Sequence, residues 1–211
     1  PASQSEMENC VAHNGAIIPV PGRDIFVQAW YQGGISVIDF TDSANPREIA
    51  YFDRGPIDPK HLILGGYWSV YYYDGKIYGS EIARGLDVLE LEPSADLTAN
   101  EIAAAALADQ GKTFNPQQQF PVKWPADPVI ALAYLDQLKR GDTLDAGMAG
   151  QLGTALDAAR AQLAGGGTDM ALAGQLDAMA KALPQGSDAP AQKRLAALGD
   201  TLERIARRLR G

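Results

Sequence analysis

Gly33-Gly34-Ile35-Ser36-Val37-Ile38-Asp39-Phe40-Thr41-Asp42-Ser43-Ala44-Asn45-Pro46 reads as a β-strand stopped by a tight polar turn. Its apolar, largely β-branched run suits a pleated surface. Asp42, Ser43, Asn45 and Pro46 supply the turn chemistry. A weaker copy follows at Arg84-Gly85-Leu86-Asp87-Val88-Leu89-Glu90-Leu91-Glu92-Pro93, 51 residues later. Both copies run Gly, apolar, polar, apolar, apolar, acidic, apolar.

Around the first copy the chain reads as four short strands. Gly15–Val20 is an apolar run, and Pro21-Gly22-Arg23-Asp24 turns it into Ile25–Tyr31. Gln32-Gly33-Gly34 then turns the chain into Ile35–Phe40, and Arg47–Asp53 supplies a fourth strand after Asn45-Pro46. A longer connection, Arg54–Gly66, leads to a second set. There Tyr67–Tyr73 is joined to Lys76–Ile82 by Asp74-Gly75, a strong two-residue hairpin signal. Leu86–Leu91 follows, and Pro93 ends the β pattern. Repeated four-strand units at this period predict β-propeller blades.

After Pro93 the pattern changes. Thr98-x-x-Glu101 is a candidate capping box before Ala103–Ala106, a strongly helical run expected to stop near Gly111. Thr113–Pro125, with Pro116, Pro121 and Pro125, reads as an extended loop. Asp127-Pro128 has the residues of an N-cap and a first helical turn, and Gly141 ends that helix. Leu152, Leu156, Ala159 and Leu163 form a narrow apolar seam. So do Leu172, Leu176, Met179 and Leu183, and then Leu195, Leu198, Leu202, Ile205 and Leu209. Short connections between such seams predict antiparallel helices in a small bundle. The expected organisation is blades over 1–93, a linker helix and Pro-rich loop over 94–126, and an all-α helical bundle over 127–211.

Composition divides at the same place. Residues 1–93 hold 12 of the 16 aromatic residues and carry 13 acidic and 6 basic side chains, net −7. An acidic β half repels phosphates, which argues against nucleic-acid or anionic-membrane binding. No run approaches the roughly 20 apolar residues of a membrane span, and no signal peptide is evident. Cys10 is the only cysteine, so no intrachain disulfide can form. The opening Pro1–Ser5 reads as the interior of a longer chain.

Gly34–Phe52 resembles an LVIVD repeat, a family marked by an apolar run ending in Asp and then a turn with Asn-Pro. The resemblance covers roughly residues 9–93. The second copy departs from it, with Glu90 at the Asp position and Pro93-Ser94 in place of the longer turn. The resemblance implies a bacterial exported, periplasmic or cell-surface β-propeller. Two blades cannot close a ring of 4–8. Another polypeptide, expected to be the N-terminal part of the same protein, would complete the propeller; an oligomer would serve the same end. Residues 128–183 resemble the FIMAH-type helical modules of exported bacterial proteins, which implies attachment or spacing.

Candidate site residues are few. Met7, Cys10 and His13 lie three apart, and thioether, thiolate and imidazole suit copper or another soft metal. Cys10 and His13 could equally form a nucleophile–base pair. His13-Asn14 is otherwise expected to open an inner strand and face a propeller channel. Asp39, Asp42 and Asn45 carry oxygens that suit calcium but are also ordinary turn formers. Trp30, Tyr31, Trp68 and Tyr71–Tyr73 are an aromatic supply for sheet packing or for a sugar- or peptide-binding rim. Glu81 and Arg84 read as a rim ion pair or as ligand contacts. Arg204, Arg207, Arg208 and Arg210 suit a helix C-terminus. The expected function is a non-enzymatic scaffold with an interaction module. The alternative is a propeller enzyme or metal-binding protein with a site including His13 and Cys10.

Overall fold

In a computed structural model, which describes residues 4–113, 115 and 121–211, seven strands form along the predicted alternation. They are β1 (Gly15–Ile18), β2 (Ile25–Ala29), β3 (Ile35–Asp39), β4 (Arg47–Phe52), β5 (Tyr67–Tyr73), β6 (Lys76–Glu81) and β7 (Gly85–Leu89). By its internal contacts the chain divides into two units. One runs to Leu97 and takes in Ala108–Val122; the other holds Thr98–Leu107 and Lys123–Gly211.

In the β unit, β1-β2-β3-β4 form a four-stranded antiparallel sheet and β5-β6-β7 a three-stranded one. Register follows the apolar pattern. Val27 lies opposite both Ala16 and Val37, and Ile25 lies opposite Ile18. Ile18, Ile25, Val27, Ala29, Ile35 and Val37 are buried on one face. Val70, Tyr72 and Ile77 are buried in the second sheet. A one-residue slip would turn each set toward water, so burial fixes the register. Asp74 and Gly75 both take positive φ, 47° and 77°, as a tight hairpin turn requires.

Strand β5 packs on β1 and β2, and the backbone ties the sheets together. The Tyr67 N–H donates to the Tyr31 carbonyl at 2.9 Å. The Val70 N–H donates to Asn14 Oδ1 at 3.1 Å. Gly79 leaves room for the Tyr67 ring of the neighbouring strand, which would lie 2.7 Å from a Cβ there, and for Ile35 Cδ1 of the first sheet, which would lie 3.2 Å away.

This corrects the expected fold class. Among the described residues the chain is a mixed α/β fold with two small antiparallel sheets and five helices, and no propeller closes. The repeat marked a strand–turn unit correctly but did not fix how many units assemble. Strand β5 packs against β1 and β2, and the seven described strands make two sheets, short of the four or more blades that a ring requires.

The helical unit contains α1 (Ala99–Ala106), α2 (Pro128–Arg140), α3 (Ala146–Ala164), α4 (Met170–Ala182) and α5 (Ala189–Arg210). Thr98 forms the predicted capping box with Glu101. Asp127, Asp145, Asp169 and Asp188 each cap a helix through a backbone N–H. These satisfy donors that a helix start leaves unpaired. Leu152, Leu156, Leu176, Leu198, Leu202 and Ile205 form the centre of the core. The seams of α3, α4 and α5 therefore face inward, as their spacing predicts.

The region between Pro93 and Asp127 serves both units in turn. Helix α1 belongs to the helical unit, where Thr98 Oγ1 and Asn100 Nδ2 donate to Asp136 at 2.8 and 2.9 Å. Buried Glu101 pairs with Arg140 at 2.7 Å. The chain then returns to the β unit. Gln110 Nε2 donates to the Tyr72 carbonyl at 3.2 Å, and Tyr73 Oη donates to the Gly111 carbonyl at 3.0 Å. The predicted stop near Gly111 comes earlier, with Leu107 as C-cap. The expected Pro-rich loop lies partly outside the described residues, Pro116 among them. The basic C-terminus is tied down: Arg204 and Arg208 donate to the carbonyls of Trp124 and Ala126, and Arg210 pairs with Asp177.

Candidate functional site

The turns at one end of the β unit bring three rings together. His13 precedes β1, and its N–H donates to the Ala29 carbonyl at 3.0 Å. Its imidazole lies 4.3 Å from the Trp68 indole and 5.2 Å from the Tyr31 ring, centroid to centroid. Tyr31 and Trp68 are 6.0 Å apart and nearly perpendicular. Tyr31 holds this position with φ at 54°, an uncommon conformation for a bulky residue. His13 and Trp68 are exposed, so the cluster is a surface feature. His13 and Trp68 are site candidates from the sequence; Tyr31, of the aromatic supply, completes the group.

The loops beneath the cluster are held by Gln32, which is 3% exposed. Its Nε2 donates to Asn9 Oδ1 and to the Ile63 carbonyl, each at 2.6 Å. Its Oε1 accepts from the Ile57 N–H at 2.7 Å. One amide side chain thus fixes the segment before β1 and the long β4–β5 connection. No pattern in the local sequence marks Gln32 for this work, because its partners lie 23 to 31 residues away.

Other candidates make contacts within the fold. Asn14 bridges the sheets through Val70. Glu81 is buried and accepts from the Gly66 N–H at 2.7 Å and from the Arg84 N–H. The Arg84 guanidinium does not meet Glu81; it donates to the Pro56 carbonyl at 3.3 Å. A buried carboxylate taking two backbone N–H groups is a loop anchor.

Trp30 and Cys10 line a separate cleft of about 280 Å³ with Gln4, Gly33, Ser36 and Glu48. Burial pushes the Cys10 thiol above its usual pKa, and the charges of Glu8 and Asp53 push the same way. A reactive or metal-binding cysteine needs the reverse, a stabilised thiolate. The Cys10 Sγ instead donates to the Glu8 carbonyl at 3.8 Å.

The turn oxygens proposed for calcium are occupied internally. Asp39 accepts from the Thr41 N–H at 3.0 Å and Oγ1 at 2.6 Å, and from Arg23 at 2.7 Å. Burial opposes its ionisation, but the hydrogen bonds from Thr41 and Arg23 outweigh that and hold its pKa low. Asp42 accepts from the Asn45 side chain at 2.8 Å and the Ala44 N–H at 3.1 Å. Among the described residues no three His, Cys, Asp or Glu side chains are grouped to hold a metal ion. No helix there is long and apolar enough to cross a membrane.

No family model matches the chain, and no curated protein or solved structure is similar to it at a significant level.

Proposed function

We propose that the chain is a non-enzymatic interaction protein of the bacterial surface or exported space, whose β unit docks another polypeptide. The observation that carries this reading is the outward sheet surface. Leu86 and Val88, on the outer face of β7, are 67% and 54% exposed. Tyr51 and Ile17, on the outer face of the first sheet, are 65% and 50% exposed. Sheets whose both faces carry large apolar side chains are suited to being covered on both. The helical unit supplies attachment or assembly. The location rests on the likeness of Gly34–Phe52 to LVIVD repeats.

A catalytic or metal role for Cys10 and His13 gains no support from the site. The Cys10 thiol is shifted away from the thiolate by partial burial and the nearby acidic charges, and His13 is engaged with aromatic rings. The test is site-specific photo-crosslinking in native material, with the crosslinker at Val88, at Tyr51 and, as control, at exposed Asp157. Adducts of one defined mass from positions 88 and 51, absent from 157, are expected. Equal labelling at all three would overturn the reading.

A further inference from the structure

The two sheets leave a groove between β4 on one side and β7 with its continuation to Pro93 on the other. It has a volume of about 480 Å³. Its floor is the core itself, Ile35, Val37, Ile77 and Leu97. Among the described residues, β4 and β7 each pair with one neighbour only, so each has a free edge. An apolar trough flanked by unpaired strand edges is the arrangement that β-strand addition exploits.

We infer that this groove takes an extended peptide segment of a partner, with alternating apolar residues flanked by Lys or Arg, as an added strand on β4. The inference rests on the docking reading above and names its site and ligand chemistry. Three observations select this occupant. First, β4 spans six residues, so an added strand of that length directs about three side chains to one face. Second, Ala50 and Phe52 lie opposite Val37 and Ile35 and share their inward face. Ala50 leaves space above the floor, where the added side chains would sit. Third, the rim is acidic. Glu90 and Glu92 border the groove, Lys76 is the salt-bridge partner of Glu90, and no basic partner of Glu92 occurs among the described residues. The surrounding residues 1–93 carry net −7. Basic flanking residues therefore gain from the field, while an acidic peptide is repelled.

The experiment uses the whole chain and a fluorescein-labelled peptide, Lys-Val-Thr-Val-Thr-Val-Lys, read by anisotropy. Saturable binding is expected. It should weaken about tenfold or more in A50K, which puts a charged chain into the trough. It should weaken severalfold in E92K, with a loss that shrinks as salt is added. The same peptide with alternate N-methylated amides should lose binding, because it cannot complete the ladder. Circular dichroism unchanged in E92K keeps that result interpretable even if A50K fails to fold. No saturable binding at millimolar peptide overturns the inference, as does binding insensitive to N-methylation. Concentration-dependent self-association that A50K abolishes and the peptide cannot compete also overturns it, making a second copy the occupant. Crosslinked adducts from Val88 that persist while the peptide fails leave the docking reading standing and remove only this groove.

Discussion

The Asn14 side chain accepts a hydrogen bond from the Val70 N–H at 3.1 Å, joining the first sheet to the second across 56 residues of sequence. The backbone carbonyl of Asn14 is also used, accepting from the Ala29 N–H at 2.9 Å and from Gln28 Nε2 at 3.2 Å. One residue therefore holds β5 against the strands it packs on. Asn14→Leu should leave the Val70 donor without its partner and cost about 1–3 kcal/mol. Asn14→Asp keeps an acceptor and should cost less. Urea denaturation followed by tyrosine and tryptophan fluorescence separates them; equal midpoints for the two variants would contradict this role.

In the helical unit, Glu101 is fully buried, and both its oxygens accept from Arg140, at 2.7 and 3.2 Å. Removing one partner of such a pair strands the other charge. Arg140→Met should therefore destabilise the unit by about 3 kcal/mol, while the double change Glu101→Leu with Arg140→Met recovers most of it. Helical circular dichroism during thermal unfolding checks both. A double variant no better than the single one would show that the pair's surroundings demand charge.

Acid should weaken the β unit through Asp39. Its folded pKa is depressed by Thr41 and Arg23, so the unfolded chain binds the proton more readily. The stabilisation is present above the ordinary carboxylate range, about pH 4, and is lost as pH falls through the lower folded value. Asp39→Asn should flatten the stability profile below about pH 4 and lower the plateau above it. A profile as steep as that of the unchanged chain would assign the acid limb elsewhere.

Cys10 is exposed but should react slowly as a thiol. Its raised pKa leaves little thiolate at neutral pH, so alkylation by iodoacetamide should be slow and should accelerate only in alkaline solution. His13→Ala should leave that rate unchanged. A tenfold drop on losing His13 would reveal a coupled pair and reopen a catalytic reading.

Local structure was legible in the sequence because local rules govern it. Asp74-Gly75 declares its hairpin, Thr98-x-x-Glu101 its capping box, and Asp127-Pro128 its helix start, each through contacts within a few residues. What failed was assembly. A 51-residue period describes one strand–turn unit and says nothing of what its faces meet. The Gln32 anchor and the turning of Glu81 toward Gly66 were likewise hidden. Their partners are set by how loops from distant segments converge, which no spacing rule encodes.

That convergence should be most sensitive at Gly66. Its φ is +89°, and a Cβ there would lie 2.0 Å from both the Tyr31 carbonyl carbon and the Gln32 nitrogen. The backbone cannot yield cheaply, because the adjacent Tyr67 N–H is bonded to the Tyr31 carbonyl and the Gly66 N–H to Glu81. Gly66→Ala therefore combines a left-handed backbone with a main-chain collision. A loss above about 4 kcal/mol is expected, beyond the usual range of single substitutions. Gly55 supplies the control. Its φ is +71°, but nothing lies within 4 Å of where a Cβ would stand. Gly55→Ala should show the conformational term alone, about 1–2 kcal/mol. Denaturation midpoints of the two variants, measured side by side, isolate the collision from the strain. Equal losses would mean that the loops carrying Tyr31 and Gly66 part easily, and that the junction between the sheets is held by something other than this close approach.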